Sequence, residues 1–220
     1  MSKTNVDMKK RRILQSGLGA AVFFTAIGGA RAASPLCGGL TPAQTEGPFY
    51  PENTAGEDDT DLTQNGRALG QVIVVEGVVT DSQCRPVNGA LVEIWQACTS
   101  GRYDHSGDPN TAPLDPNFQY WGRAVTDANG AYKFKTIVPG AYPAAPGWDR
   151  PPHIHFKIAK IGYEELITQL YFKGQKLNDR DRILRAIPAL QRDRVISELV
   201  LRQGEAIPTA VFPITLKEIV

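Results

Sequence analysis

The chain has 220 residues, 42% of them hydrophobic, and its 24 basic residues are nearly balanced by 23 acidic ones. A chain of this length and composition is expected to form one globular domain with a short appendage. The composition excludes a collagen-like, repetitive or disordered chain.

Residues 1–32 predict a removable export signal. The basic residues 9–12 (KKRR) precede a mildly apolar run, residues 17–30, and a small-residue pattern (ARA) closes it at residues 30–32. The run is weakened by glycines and is shorter than the roughly 20 apolar residues of a membrane-spanning helix. The twin arginines favour a twin-arginine export signal, although an ordinary secretory signal stays open. In both cases we expect a periplasmic or secreted protein without a membrane anchor after signal removal.

The remainder of the chain is mildly acidic. Loss of residues 1–32 would remove six basic residues and one acidic residue, which leaves 18 basic against 22 acidic residues and a net charge of −4. No basic patch then indicates nucleic-acid binding. The cysteines are Cys37, Cys84 and Cys98, whose spacing fits neither a zinc ribbon nor a Cys-x-x-Cys redox motif. One disulfide and one free thiol are expected in an oxidising compartment, with the pairing open.

Residues 33–70 predict no regular element. They contain four prolines and repeated glycine and aspartate residues without helical periodicity, so they are expected to wrap over the domain that follows. That domain, residues 71–220, begins with a β-branched run at residues 71–80, which predicts a strand. A turn at residues 81–89 leads to a returning strand at residues 90–96, as a hairpin or as a sandwich corner.

The middle of the chain combines an irregular loop with a hairpin signal. Residues 99–122 hold closely spaced glycines and prolines together with several aromatic residues. A long loop of this kind is usually functional or packed against a site. Residues 123–126 and 131–137 flank an Asn-Gly turn at residues 127–130 and predict a hairpin. A turn rich in proline and glycine follows at residues 139–143.

The last third of the chain predicts more strands and two short helices. Residues 164–172 continue the strand pattern, residues 179–201 have apolar residues near helical spacing that Pro188 interrupts, and residues 210–220 fit a closing strand. Short strands at this spacing predict an all-β fold, an antiparallel β-sandwich with long irregular loops and short C-terminal helices.

Two of the three histidines lie in a strand-like run. Successive side chains of a strand point to opposite faces, so His153 and His155 share one face while Ile154 and Phe156 share the other. A sheet can offer two imidazoles to one metal ion in this way, but the pattern also fits two half-buried histidines with ordinary hydrogen bonds. His105 could add a third imidazole and give a three-histidine zinc site.

Two tyrosines in turns, Tyr103 and Tyr142, are candidate partners of these histidines. A phenol titrates at about pH 10, so it binds a metal as phenolate only when a strongly Lewis-acidic ion removes its proton. Two anionic phenolates favour Fe(III) over Zn(II) or Cu(I). Each tyrosine taken alone also fits an ordinary amphipathic residue at the edge of the core.

A set of linked motifs resembles a known family. The motifs lie at residues 101–103 (GRY), 112–118 (APLDPNF), 122–123 (GR), 126–127 (TD), 139–143 (PGAYP), 150–156 (RPPHIHF) and 166–172 (LITQLYF). Together, over about residues 41–175, they resemble the intradiol aromatic-ring dioxygenases, and most of all the protocatechuate 3,4-dioxygenase β chains within that family.

The resemblance implies an enzyme with a non-haem Fe(III) cofactor. Its implied ligands are Tyr103, Tyr142, His153 and His155, with Tyr142 displaced by substrate. The implied reaction cleaves a catechol-type ring between its two hydroxylated carbons with O₂ and gives a muconate-type diacid, with protocatechuate as the favoured substrate. The family's β chain pairs with a different α chain, so a homo-oligomer and a hetero-oligomer both stay open.

Three further residues match functional positions of the family. Arg150 corresponds to an arginine beside the reacting ring, where a permanent cation would stabilise developing negative charge. Gln169 corresponds to a glutamine nearby. Trp95 corresponds to a tryptophan of the substrate pocket wall, although it fits a core aromatic equally well. The chain departs from close relatives at residues 144–145, where two alanines replace an aromatic side chain.

Several alternatives compete with this interpretation. A catechol or hydroxyquinol 1,2-dioxygenase would carry a helical dimerisation segment where residues 34–70 are rich in proline. A non-catalytic exported β-sandwich would bind a carbohydrate or a protein without needing the metal ligands. A cupin would need a glutamate about four residues after the His-x-His pair, where this chain has Ala159.

Overall fold

The computed structural model describes residues 39–52, 54 and 59–219. The predicted export signal and Cys37 lie outside the described residues. In the described ranges the regular structure consists mainly of strands: β1 (Val72–Thr80), β2 (Leu91–Trp95), β3 (Trp121–Val125), β4 (Ala131–Ile137), β5 (Tyr142–Ala145), β6 (Trp148–Arg150), β7 (His153–Ala159), β8 (Leu166–Phe172), β9 (Ile196–Ser197), β10 (Leu199–Val200), β11 (Thr209–Val211) and β12 (Ile214–Thr215). The helices there are α1 (Arg182–Ala186) and the 3₁₀ helices Lys176–Asp179 and Ala189–Val195. None of these is long and apolar enough to cross a membrane.

Ten of the strands form two five-stranded sheets that share one core, and β5 and β6 form a separate two-stranded sheet. One sheet has the order β10-β11-β1-β12, with β4 also paired to β1, and the other has the order β3-β2-β7-β8-β9. Val75 and Phe134 of the first sheet pack in the same apolar cluster as Ile94 and Phe156 of the second. Burial of such side chains between two faces is the main source of stability in a sandwich. The predicted all-β sandwich is confirmed.

The pairing is not purely antiparallel. β1 runs parallel to both β11 and β12, and β8 runs parallel to β9. These partners come from the C-terminal part of the chain, which returns to both sheets after the helices. The hydrophobic patterns of these segments indicate strands, but whether a strand runs parallel or antiparallel to its neighbour depends on the chain that connects the two.

Two connections that could have been hairpins are corners between the sheets. β1 pairs antiparallel with β4, from Val72 opposite Ile137 to Val78 opposite Ala131, whereas β2 pairs with β3 and β7. The hairpin predicted between β3 and β4 is therefore wrong, and the sandwich-corner alternative between β1 and β2 is correct. The tight turn itself forms, with Gly130 N donating to Asp127 O at 2.9 Å. Turn chemistry fixes where the chain reverses and leaves open which sheet it enters.

The proline-rich segment crosses the edges of both sheets. Thr41 N donates to Thr215 O of β12 at 3.1 Å, and Gln44 N donates to Ile167 O of β8 at 2.8 Å. Leu62 is fully buried in the core. The described residues of this segment thus contact both sheets and the core.

The C-terminal helices are shorter than the periodic stretch that predicts them. Pro188 ends the helical region after α1, and the following turn is a 3₁₀ helix that leads into β9 and β10, where helix was expected.

The cysteines fit the expectation of one disulfide and one free thiol, because Cys84 is disulfide-bonded and Cys98 is a buried free thiol.

Candidate metal centre

Two turns that carry tyrosines are packed against each other. The backbone N–H groups of Gly101 and Gly140 both donate to the carbonyl oxygen of Cys98, each at 3.0 Å. Gly101 has φ +80°, a conformation that favours glycine. A Cβ atom on Gly140 would clash with Gly101 N and Thr99 O. This close contact fixes the turn before Tyr103 against the turn before Tyr142.

Substituting Gly140→Ala is expected to disturb both tyrosines at once, because the added methyl group must push the two turns apart. We expect a loss of stability of about 1–3 kcal/mol, the usual range for overpacking, measured by urea unfolding. Gly147→Ala is the comparison without a clash: no atom lies near its would-be Cβ, so its cost comes only from placing alanine at a φ of +72°, a strain that is absent at Gly140. If Gly140→Ala keeps the stability of the unaltered protein, the close packing of the turns has no specific role.

The two histidines of β7 meet the tyrosines at one point. His153 and His155 face the same side of the strand and are buried, while Ile154 and Phe156 lie in the apolar core on the other side. The Nε2 atoms of the two imidazoles are 3.2 Å apart. The hydroxyl of Tyr103 lies 3.3 Å from His153 Nε2. The predicted alternation of faces is thus present.

Tyr142 completes the group at the start of β5. Its ring centroid lies 5.6 Å from that of Tyr103 and 5.7 Å from that of His153. Tyr103 is buried, at 3% exposure, whereas Tyr142 is half-buried and borders a cavity. The two phenols therefore differ in access to a ligand.

The imidazoles are held neutral, with nitrogen lone pairs available. His153 Nδ1 lies 2.7 Å from Pro151 O, so this nitrogen carries the proton and Nε2 is the acceptor. Burial, followed by repulsion from the Arg150 guanidinium, lowers the pKa of both His153 and His155 well below the ordinary value. His155 stacks on Trp95, with ring centroids 4.8 Å apart and planes 13° apart.

The phenols stay protonated unless a cation binds them. Burial raises the pKa of Tyr103 well above its ordinary value, and burial also raises the pKa of Tyr142, although the Arg150 cation opposes this. A strongly Lewis-acidic ion would reverse the balance by binding the phenolates.

The four side chains that could bind a metal ion, here called the donor set, suit a hard, highly charged ion. They are Tyr103, Tyr142, His153 and His155. An ion bonded at about 2.0–2.2 Å places neighbouring ligand atoms about 3 Å apart, close to the donor separations found here. Two phenolic oxygens and two neutral imidazole nitrogens combine hard anionic and borderline ligands, which fits Fe(III). The residues present therefore fit the metal that the sequence resemblance implies.

His105 does not join this group. Its Nδ1 accepts from Gly107 N at 2.9 Å, and its ring lies 5.6 Å from that of Phe49. In the part of the chain that the structure describes, no three His, Cys, Asp or Glu side chains converge as a metal site. The three-histidine zinc alternative therefore has no support in this geometry.

Arg150 lies at the centre of a buried polar network. Its Nε donates to Asp181 Oδ2 at 3.0 Å, and its Nη2 donates to Gln169 Oε1 at 2.7 Å and to the Tyr171 hydroxyl at 2.9 Å. Its Nη1 lies 3.0 Å from His153 Nε2. Arg150 and Asp181 are at most 3% exposed. The ion pair thus keeps a cation beside the donor set without leaving it uncompensated.

Gln169 ties this network to the proline-rich segment. Its backbone N–H donates to Gln44 Oε1 at 2.9 Å, and its side-chain amide donates to Thr45 O at 2.9 Å. Gln44 also donates to the Tyr171 hydroxyl at 3.1 Å. The wrapping segment therefore has a direct part in positioning Gln169 and, through it, Arg150.

A cavity of about 430 Å³ borders the donor set. Tyr142, Arg150 and His155 line it together with Phe49, Trp148 and Ile183. Trp95 lies behind His155 and does not belong to the lining. Ala144 also lines the cavity. It stands where the sequence resemblance implies an aromatic side chain, and Trp148 on the neighbouring strand β6 supplies the aromatic wall here instead.

The residues of the site that were not predicted from the sequence include Gln44, Trp148, Tyr171 and Asp181. Tyr171 had a usable signal, because it lies two residues after Gln169 on a strand and must share its face. Asp181 had one as well, since an aspartate before an apolar helical run predicts an N-cap. It accepts from Leu184 N at 2.7 Å while also binding Arg150. Gln44 and Trp148 reach the site through tertiary packing, which no local pattern predicts.

Comparison with known proteins identifies similar chains. A family model described as "Dioxygenase" matches residues 45–217. The chain is 47% identical over 165 residues to the protocatechuate 3,4-dioxygenase beta chain of Burkholderia cepacia, which covers 72% of this chain and 70% of that protein. It is 32% identical over 139 residues to a catechol 1,2-dioxygenase of Candida albicans, covering 57% of this chain and 45% of that protein.

A solved structure has the same fold. The dioxygenase domain of a dioxygenase carbohydrate-binding protein fusion from Streptomyces sp. SirexAA-E superposes with a TM-score of 0.63 and 31% sequence identity. The match covers 82% of this chain and all of that one.

Proposed function

The chain belongs to the intradiol ring-cleavage dioxygenase family, and from that premise we propose that it uses a ferric ion to open a catechol-type ring with O₂. The observation that supports this most strongly is the convergence of two phenols and two neutral imidazoles beside a buried arginine. In this proposal Tyr103, Tyr142, His153 and His155 hold the ion. When bound, ferric iron makes an electron-rich catecholate reactive toward O₂, so that the ring opens between the two hydroxylated carbons to a muconate-type diacid.

Tyr142 is the ligand suited to leave when substrate enters. It lines the cavity, whereas Tyr103 is enclosed by the core. A catechol that bound through both oxygens would bring two negative charges, so a site that held iron would keep its charge balanced if the catechol replaced the Tyr142 phenolate. Tyr142 lines the cavity and burial raises the pKa of its hydroxyl, so a freed Tyr142 phenolate would be the base that takes a proton from a catechol hydroxyl there.

Arg150 is placed to stabilise negative charge on the ring. It lines the cavity and is fixed by Asp181, Gln169 and Tyr171. A guanidinium already oriented by buried partners needs little reorganisation as charge develops, which is the condition for effective electrostatic catalysis. Trp95 supports this arrangement indirectly, because its ring holds the plane of His155.

Protocatechuate is the substrate we propose first. The 47% identical relative is named for it, and that relative is matched over more of its length than the catechol 1,2-dioxygenase of Candida albicans. Catechol or hydroxyquinol is the alternative. Oxygen uptake with the three compounds in parallel distinguishes them, and no uptake with any of them would favour a non-catalytic binding module.

We also propose that residues 1–32 export the protein, which would then meet aromatic compounds outside the cytoplasm. The support is the twin-arginine pattern of the sequence. Fractionation of cells that produce the full chain tests this, and a mature protein found only in the cytoplasm would refute it. Size measurement of the purified protein, alone and with a candidate α-type chain, tests whether it assembles with itself or with a partner.

The colour of the purified protein provides a direct prediction. Phenolate bound to Fe(III) absorbs visible light, so the iron-loaded protein is expected to be red. Tyr142→Phe should keep a coloured centre through Tyr103, with a shifted band, and should slow ring cleavage by about a hundredfold, a typical effect of losing a proton-transfer group. Tyr163→Phe is the control, because Tyr163 forms an isolated β-bridge with Glu218 and does not line the cavity. An unchanged spectrum in Tyr142→Phe would show that Tyr142 is not a ligand.

A further inference from the structure

The two imidazoles of β7 are oriented by different means. His153 Nδ1 lies 2.7 Å from Pro151 O, which fixes the plane of that ring. His155 Nδ1 is buried and, among the described residues, has no hydrogen-bond partner. A histidine that binds a metal almost always donates its second ring N–H to an acceptor, which orients the ring. In His155 this orientation must come from packing.

Trp95 supplies that packing. Its ring stacks on the His155 ring, with centroids 4.8 Å apart and planes 13° apart. Trp95 is 1% exposed, and its indole N–H also lacks a hydrogen-bond partner in the part of the chain that the structure describes. The position of the indole therefore depends on the side chains packed around it.

Tyr50 of the proline-rich segment is the next ring in this row. Its ring meets that of Trp95 edge to face, with centroids 5.1 Å apart and planes 81° apart, a favourable arrangement for two aromatic rings. The Tyr50 hydroxyl donates to Glu93 Oε2 at 3.3 Å. Lys157 Nζ lies 4.9 Å from the centroid of the Tyr50 ring, within reach of a cation–π interaction. Tyr50 is thus held by charged partners as well as by packing.

The anchors of Tyr50 belong to the same strands as the stacked rings. Glu93 lies opposite Lys157 in the pairing of β2 with β7, two positions from the place where Trp95 lies opposite His155. Side chains two positions apart in a strand share a face, so the anchors and the stacked pair occupy one face of the sheet. Burial and the charge of Glu93 raise the pKa of Tyr50 to about 12, so the hydroxyl keeps its proton and stays a donor near neutral pH.

We propose that Tyr50 is a positioning residue for His155, which it orients through the stacked Trp95 ring, with Glu93 and Lys157 as its anchors. This inference rests on the proposed function, because it takes His155 to be a metal ligand. The described lining of the cavity contains His155 but not Tyr50, Trp95 or Glu93, so their effect on the site passes through His155. An imidazole that is held before the ion binds loses less freedom on binding, which favours affinity.

Nuclear magnetic resonance of the protein prepared without iron tests the ring position itself. The chain has three histidines, so their ring C–H signals can be assigned by substitution. Protons that lie over the face of an indole are shifted upfield by its ring current, and the His155 signals should carry this contribution. Tyr50→Leu should move them downfield, because the indole loses the ring packed against it. Tyr50→Phe keeps that ring and should retain most of the upfield shift.

Iron binding tests the consequence for the metal centre. Tyr50→Leu should lower the affinity for Fe(III), measured by competition with a chelator, by about tenfold, the lower end of the range for residues that orient a ligand. It should also shift the visible band of the bound phenolates. Trp95→Leu should weaken iron binding at least as much. The double variant should bind iron no more weakly than Trp95→Leu alone, because Tyr50 acts through Trp95.

Tyr120→Leu is the matched control. Tyr120 is also half-buried and meets Phe118 edge to face, with centroids 5.0 Å apart, but its ring packs against the core between the sheets. Its loss should leave the His155 signals and the iron affinity unchanged, even where it costs as much stability in urea unfolding as Tyr50→Leu.

Two results would overturn the positioning role. One is a set of His155 signals that Tyr50→Leu leaves in place. The other, in a protein that binds iron, is an affinity that falls no further in Tyr50→Leu than in Tyr120→Leu. A protein whose His155 signals respond as expected but that binds no ferric iron would retain the positioning role and refute the proposed function.

Discussion

His155→Gln is expected to abolish ring cleavage and to release most of the iron. His155 supplies one of the two imidazoles whose Nε2 atoms lie 3.2 Å apart, and glutamine cannot bring a nitrogen lone pair to the same point. Loss of a residue that merely orients a ligand typically costs 10–100-fold in metal affinity or activity. Loss of the ligand itself should therefore cost about a hundredfold or more in iron affinity, with activity below detection.

The third histidine provides the control for this experiment. His105→Asn changes an imidazole near the site that does not face the donor set, so iron content, colour and oxygen uptake should stay close to those of the unaltered protein. Iron is measured by metal analysis after gel filtration, and folding is checked by circular dichroism. If His155→Gln keeps stoichiometric iron and its colour, the four-ligand centre is wrong. Loss of iron in His105→Asn instead would favour the zinc-type alternative.

The proposed metal-binding set could be predicted from the sequence because local rules determine much of its geometry. The two-residue period of a strand places His153 and His155 on one face, and β7 bears this out. The turns around Tyr103 and Tyr142 were recognisable from their glycines and prolines. Their convergence with β7, however, was predicted only by resemblance, since no local pattern states that Gly101 and Gly140 both bond to Cys98 O.

Sheet membership was the part of the fold that local patterns could not give. The Asn-Gly turn at residues 127–130 forms, but β3 and β4 belong to different sheets. Both sheets offer an apolar face, so the alternation of β4 is satisfied in either one. Long-range pairing, such as that of Val79 with Ile214, decides which sheet a strand joins. The loop-closure entropy that such pairing costs and the contacts that it gains depend on the whole chain.

Local sequence patterns also could not tell whether Trp95 or Trp148 lines the cavity. Both tryptophans lie in strands near candidate ligands, and the resemblance pointed to Trp95. In the structure Trp95 stacks behind His155, whereas Trp148 lines the cavity. The deciding feature is the short β5-β6 sheet, where Trp148 pairs with Ala145, and two-stranded elements of this size have little sequence signature.

Arg150→Met is expected to reduce both catalysis and stability. The change leaves Asp181 fully buried without its cation. Removing one partner of a buried ion pair typically costs about 3–5 kcal/mol, so a loss of this size is expected in urea unfolding. Gln169 and Tyr171 would also lose their shared donor. Ring cleavage should fall by about 10²–10³-fold, the range for removing one preorganised charge-stabilising group.

A double substitution separates the structural role of Arg150 from its catalytic role. Asp181→Asn keeps an oxygen that can cap α1 at Leu184 N but removes the unpaired charge. Arg150→Met combined with Asp181→Asn should therefore recover much of the lost stability, since pairs replaced by neutral groups often cost little. Activity should stay low, because the cation beside the ring is still missing. If activity returned together with stability, Arg150 would act only as a structural partner of Asp181, and the proposed stabilisation of charge on the ring would be wrong.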